Sequence, residues 1–171
     1  MSDLLKLKEN TLVAHPDGGF SFGTIPEMPK FGLPGGDVYL PVGVHRCANS
    51  GFGVIHVWEA HQPDLLKLGC ETIDGVAAHI AKMIVPGAQI YCEFKKQRGG
   101  KSIAVLRTST GTLILEPRHK RATGFGYYVV TWYAQRRAHG TLVGQVPRPL
   151  KPNLEASQPE PNLVVPEPEP K

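Results

Sequence analysis

Gln89-Ile90-Tyr91-Cys92-Glu93-Phe94-Lys95-Lys96-Gln97-Arg98-Gly99-Gly100-Lys101-Ser102-Ile103-Ala104-Val105-Leu106-Arg107 reads as two strands folded back on each other. Ile90, Cys92 and Phe94 fall two apart, so they leave one face of an extended chain. Gln97–Gly100 supplies the turn, because glycine takes positive φ without a Cβ clash. Thr108-Ser109-Thr110-Gly111 turns the chain again into a strand over Thr112–Glu116, and Tyr127-Tyr128-Val129-Val130-Thr131-Trp132-Tyr133 reads as the last strand.

Upstream of these strands the pattern changes. Val38–Val42 is a short strand in which Pro41, lacking an amide donor, favours an edge. A helix covers about residues 52–61, and Pro63 should stop it near His61. Ile73, Val76, Ala77, Ile80 and Ile84 then follow helical spacing, predicting a second helix over Thr72–Ile84 with Thr72 as its cap and Pro86-Gly87 beyond its end. Helices followed by tightly turned strands predict an α+β fold, with two N-terminal helices packed on a mainly antiparallel sheet of about four strands. No internal repeat is present.

The 171 residues suit one domain with extensions. Residues 1–36 are punctuated by Pro16-Asp17-Gly18-Gly19, Pro26, Pro29 and Pro34-Gly35-Gly36 and read as an N-terminal extension. Residues 37–146 form the expected domain. Residues 147–171 are rich in proline and glutamate and read as a disordered tail. No run approaches the ~20 apolar residues of a membrane span, and the start lacks the pattern of a signal peptide. Cys47, Cys70 and Cys92 are odd in number and form no CxxC, which predicts reduced thiols in a cytoplasmic protein rather than a disulfide framework or a thiolate zinc site.

The net charge of +4 is unevenly spread. Lys95, Lys96, Arg98, Lys101, Arg107, Arg118, Lys120, Arg121, Arg136 and Arg137 stand against Glu116 alone in that segment. Such a field attracts polyanions; the plainer reading is a solvated face. Arg98-Gly99-Gly100-Lys101 has the residues of a phosphate cradle but lacks the spacing and following helix of a Walker loop, so it reads as a hairpin turn.

Two histidines mark the first helix, Gly51-Phe52-Gly53-Val54-Ile55-His56-Val57-Trp58-Glu59-Ala60-His61. Five residues of helix is a rotation of about 140°, so His56 and His61 do not share a face as a two-histidine metal site requires. No metal or other cofactor is expected. His61 lies on the stripe of Val54, Val57 and Trp58 and should face the sheet, whereas His56 points roughly the other way. At the helix end, the dipole should raise the His61 pKa. Taken alone, such a histidine is a satisfied core residue or a cap. Thr131 and Tyr133 leave one face of the last strand, and strict alternation puts Tyr127 and Val129 there too. Of the other histidines, His45 precedes the helix and His119 sits in a basic loop, within possible reach of a substrate.

The order of a strand, a GFGxxHxxxxH helix, a second helix, strands, and a closing YYVVTWY strand resembles the nuclease superfamily grouping barnase, EndoU, colicin D and RelE, and within it the phage-encoded and polymorphic-toxin members. The resemblance spans about residues 38–134. It implies a metal-independent endoribonuclease, toxin-like and phage-encoded, acting on RNA in the host cytoplasm, with an immunity or host protein as a further partner and no membrane. It places His61 at the catalytic histidine and Thr131 and Tyr133 at the strand hydroxyls, with His56 as a further catalytic candidate. The cation that such families carry after the histidine helix is not clearly filled; Lys67 is near in sequence, and Lys82 or Arg107 are alternatives. Lys67, Arg107, Lys101 and Tyr127 are the expected substrate contacts. The alternative is a non-enzymatic phage accessory protein that binds nucleic acid or a host protein through the basic face, or a structural phage component retaining a nuclease-like relic.

Overall fold

The computed structural model describes residues 2–96, 100–107 and 109–148; at positions 95, 96, 100–102, 104, 106 and 107 it describes the backbone alone. The alternating segments read from the sequence pair into one large sheet. Nine strands are present among the described residues: β1 (Ser21–Ile25), β2 (Gly36–Tyr39), β3 (Val44–Cys47), β4 (Ser50–Phe52), β5 (Gln89–Lys96), β6 (Gly100–Arg107), β7 (Gly111–Lys120), β8 (Gly124–Tyr133) and β9 (Thr141–Gln145). Seven form a sheet in the order β1-β2-β8-β7-β6-β5-β9, and β3 and β4 form a separate hairpin. In the large sheet β2 and β8 run parallel, and the other pairs are antiparallel.

The expected α+β layout of two N-terminal helices on about four strands is therefore corrected: the protein is mostly strand. The helices are α1 (Gly53–Lys67) and α2 (Val76–Ala81). The helical stretch foreseen over Thr72–Ile84 shrinks to a 3-10 turn at Ile73–Gly75 followed by α2, and Thr72 makes no side-chain capping bond. The strand content rises because segments with little alternation are recruited by pairing. Residues 1–36 contribute β1, whose Phe22 and Ile25 are buried in the core, and Met28 and Leu33 join them. Residues 141–145 add β9 to the free side of β5. The foreseen tail lies, from residue 149 on, outside the described residues, as does the turn at residues 97–99.

The core lies on one face of the large sheet. Leu113 and Leu115 of β7, Ile103 and Val105 of β6 and Ile90 and Cys92 of β5 pack with Val54, Val57 and Leu65 of α1 and Val76 and Ile80 of α2. In β8 the contributors are Tyr127, Val129 and Trp132. That spacing departs from strict alternation. Opposite the adjacent pair Ile114 and Leu115 stand Thr131 and Val129, so Val130 is an extra residue, a β-bulge. Past the bulge the two faces exchange parity. Trp132 joins the core, and Thr131 and Tyr133 turn to the face opposite Tyr127 and Val129.

β2 pairs with β8 only at Tyr127 and Tyr128. Beyond that point β8 packs against α1 and β4. The start of α1 is held by main chain rather than by a side-chain cap: Val54 N–H donates to Pro41 O at 3.0 Å and Ile55 N–H to Val42 O at 3.0 Å. These bonds satisfy amides that a helix start leaves without partners. They also fix α1 beside the bulged half of β8.

Candidate active site

His61 sits at a break in α1. Its φ of −130° and ψ of 17° are non-helical, next to Pro63, which has no amide hydrogen to continue the helical ladder. The helix does not end there as the sequence suggested. Pro63 falls in the first turn of the next segment, where no amide donor is needed, and the chain stays helical to Lys67. The break aims the imidazole at β8: His61 Nε2 lies 3.2 Å from Thr131 Oγ1, and its ring centre is 5.0 Å from that of Tyr133 at 76°. The Trp132 ring, on the core side, is 6.0 Å away at 90°.

Thr131 is 5% exposed and Tyr133 38%. Both line a cleft of ≈ 710 Å³ on the face of the sheet away from the core. Thr112, Ile114, Glu116 and Arg118 of β7 form its floor, in register with Tyr133, Thr131, Tyr128 and Gly126 of β8. The β3–β4 hairpin, with Arg46 and Phe52, makes one wall, and Gln135, Arg137 and His139 beyond β8 make another. Arg118 Nη2 donates to Glu116 Oε2 at 3.1 Å, and its guanidinium lies 5.2 Å from the centre of the Phe52 ring. His61 meets the cleft through Thr131 and Tyr133 rather than by lining it.

His56 does not point outward. It is 4% exposed, lines the cleft and is covered by the β3–β4 hairpin. Its Nδ1 is 3.0 Å from His45 Nδ1, and its ring is 6.5 Å from that of His61 at 89°. Burial lowers the pKa of His56, helped by the nearby His45 and His61. Burial also lowers the pKa of His61, with Asp64 opposing. The expected rise at a helix terminus is corrected: His61 is at a mid-helix break, and desolvation outweighs the charge of Asp64.

The other foreseen residues scatter. Tyr127 cannot stack on a base, because it is in the core with its hydroxyl donating to Pro34 O at 2.5 Å, and burial pushes its pKa up to about 12. The bulge accounts for this; strict alternation had put it beside Thr131. Lys67 pairs with Asp64 at 3.1 Å on the surface and does not line the cleft. The side chains of Lys101 and Arg107 lie outside the described residues. Among the described residues the Arg and Lys side chains lining the cleft are Arg46, Arg118 and Arg137. Arg118 and Arg137 belong to the basic segment of the sequence and His139 follows it by two residues, but nothing local marks Arg46 as a neighbour of that segment.

Among the described residues no three His, Cys, Asp or Glu side chains are grouped to hold a metal ion, and no helix is long and apolar enough to cross a membrane. No protein-family model, curated protein or solved structure matches the chain.

Proposed function

We propose that the cleft binds RNA and that the chain is a metal-independent endoribonuclease. The observation that carries this reading is the meeting of His61, Thr131 and Tyr133 at the edge of a cleft that also holds three arginines. An imidazole, two hydroxyls and guanidinium groups are sufficient for transesterification at a ribose phosphate. The cations offset phosphate charge, and the Tyr133 hydroxyl donates to a phosphoryl oxygen as negative charge builds in the transition state.

In this mechanism the 2′-hydroxyl proton passes to Thr131 Oγ1 as Thr131 passes its own hydroxyl proton to His61 Nε2, 3.2 Å away. The 2′-oxygen attacks phosphorus, the bond to the 5′-oxygen breaks, and a donor in the cleft returns a proton to that oxygen. The products are a 2′,3′-cyclic phosphate and a 5′-hydroxyl. A lowered histidine pKa suits the base role, because the ring is neutral at pH 7 and ready to accept. The requirement for a 2′-hydroxyl restricts the substrate to RNA.

The test is cleavage of a single-stranded RNA, with chelator present, against the same sequence with 2′-deoxyribose. Cleavage with cyclic phosphate ends, lost ~10²–10⁴-fold in His61→Ala, is the expected result. RNA binding without cleavage by the wild-type chain would instead favour the accessory-protein reading.

A further inference from the structure

Gly51 of β4 stands across the hairpin from His45 of β3. Its φ is 149°, and a Cβ there would lie 2.5 Å from His56 Nδ1. The missing side chain is the room into which the His56 ring fits. The two imidazoles are stacked with centres 5.2 Å apart and planes at 24°, and their Nδ1 atoms are 3.0 Å apart. At that separation a hydrogen bond needs one nitrogen with a hydrogen and one without. The tautomers of the two rings are therefore tied. If His45 Nδ1 carries the hydrogen, His56 Nδ1 accepts it, and the single proton of a neutral His56 is on Nε2.

On the ribonuclease reading, we propose that His45 is a positioning residue: it donates from Nδ1 to His56 and commits His56 to its Nε2–H form, so that the nitrogen left for the cleft is a donor to a phosphoryl or leaving-group oxygen. Solvation sets the direction. His56 is buried and His45 is only partly so, and a charge is cheaper on the ring that water reaches. A hydrogen on both facing nitrogens would set N–H against N–H at 3.0 Å, so only one of the two Nδ1 atoms carries one. The titratable groups facing His56 are His45 from β3 and His61 from α1, and Arg46, Glu116 and Arg118 line the same cleft. The histidines divide the work: His61 accepts a proton, and neutral His56 keeps its own and offers it as a hydrogen bond to a phosphoryl oxygen.

Nitrogen-15 spectra of the histidine rings in the full chain at pH 7, with His56 assigned by its loss in His56→Gln, test the proposal. His45→Phe keeps a stacking ring without a donor, and His45→Asn keeps an amide donor near the Nδ1 position. The expected His56 has a bare Nδ1 and a protonated Nε2 in wild type and His45→Asn, and averaged signals in His45→Phe. A wild-type His56 with its proton on Nδ1 overturns the proposal, whether or not His45→Phe folds; so does a His45→Phe spectrum unchanged at His56. In kinetics, His45→Phe should lower kcat about tenfold to a hundredfold with KM unchanged, and His45→Asn should restore it. A change in KM alone counts against positioning. Absence of RNA cleavage by the wild-type chain overturns the ribonuclease reading, and the ring spectra still decide the tautomer.

Discussion

His79 should make this protein lose stability in mild acid. It sits on α2, 5% exposed, edge-on to Trp132 with ring centres 4.6 Å apart at 87°. Among the described residues its buried Nε2 has no hydrogen-bond partner. Burial, with a contribution from Lys82, lowers its pKa from 6.5 to about 4. In the unfolded chain the ring recovers the ordinary value. Between pH 6.5 and 4 the unfolded state binds a proton that the native state refuses, so stability falls as pH falls through that window and is flat above it. The full difference is (6.5 − 4) × 1.36, about 3.4 kcal/mol. At pH 4.5 the expected loss is RT ln[(1 + 10²)/(1 + 10⁻⁰·⁵)], about 2.5 kcal/mol relative to pH 7.5. His79→Phe keeps an aromatic edge against Trp132 and removes the titration. Urea unfolding at pH 7.5 and 4.5 measures each chain's loss, and the comparison cancels the other groups titrating in the window. His79→Phe should lose about 2.5 kcal/mol less than wild type on acidification. Equal losses in the two chains would refute the reasoning, as would a His79 ring that titrates at its ordinary value in the native state.

Three further outcomes concern the cleft. Because burial lowers the His61 pKa, the acid limb of a kcat profile should fall below pH 6.5; an acid limb above it would argue against His61 as the base. Thr131→Val, nearly equal in shape, should leave the urea midpoint close to wild type and reduce kcat by ~10²–10³, measured on the single-stranded RNA; an unchanged kcat would remove Thr131 from the site. Arg46→Ala and Arg137→Ala should each weaken RNA binding and flatten the dependence of log K on log salt by ~0.7; an unaltered slope in both would place the RNA elsewhere.

Much of the strand layout could be read locally. Val38–Val42, Gln89–Lys96, Lys101–Arg107, Thr112–Glu116 and Tyr127–Tyr133 overlap β2, β5, β6, β7 and β8, because alternation and glycine turns are short-range signals. β1 and β9 escaped notice because their strand state comes from long-range pairing. Gly23 interrupts the first, and only the edge of β5 organises the second. That His61 turns toward the sheet was legible in the helix stripe, but that it meets Thr131 was not, because periodicity leaves open which face of the sheet it reaches and the bulge moves Thr131 off the face of Tyr127. The position of Tyr127 was not legible either, since a bulge shows itself only against a partner strand. The inward turn of His56 was hidden for a related reason: a helical wheel assigns the face away from the sheet to water, but here the β3–β4 hairpin covers it. Arg46 came to the cleft through that same hairpin.

Val130 acts as a phase shifter in the chain. With it in place, a single strand supplies Val129 and Trp132 to the interior and Thr131 and Tyr133 to the cleft. Were Val130 paired into the ladder instead of bulged, unbroken alternation would return Thr131 and Tyr133 to the face of Tyr127 and push Trp132 outward, with no change in sequence. Packing and chemistry are thus coupled through the register of β8 rather than through its side chains. Substitutions can tune one face at a time, but a slip of the ladder that takes up the bulge exchanges both together. A library of variants should therefore tolerate deletion of Val130, which removes the bulge and leaves Thr131, Trp132 and Tyr133 on their present faces.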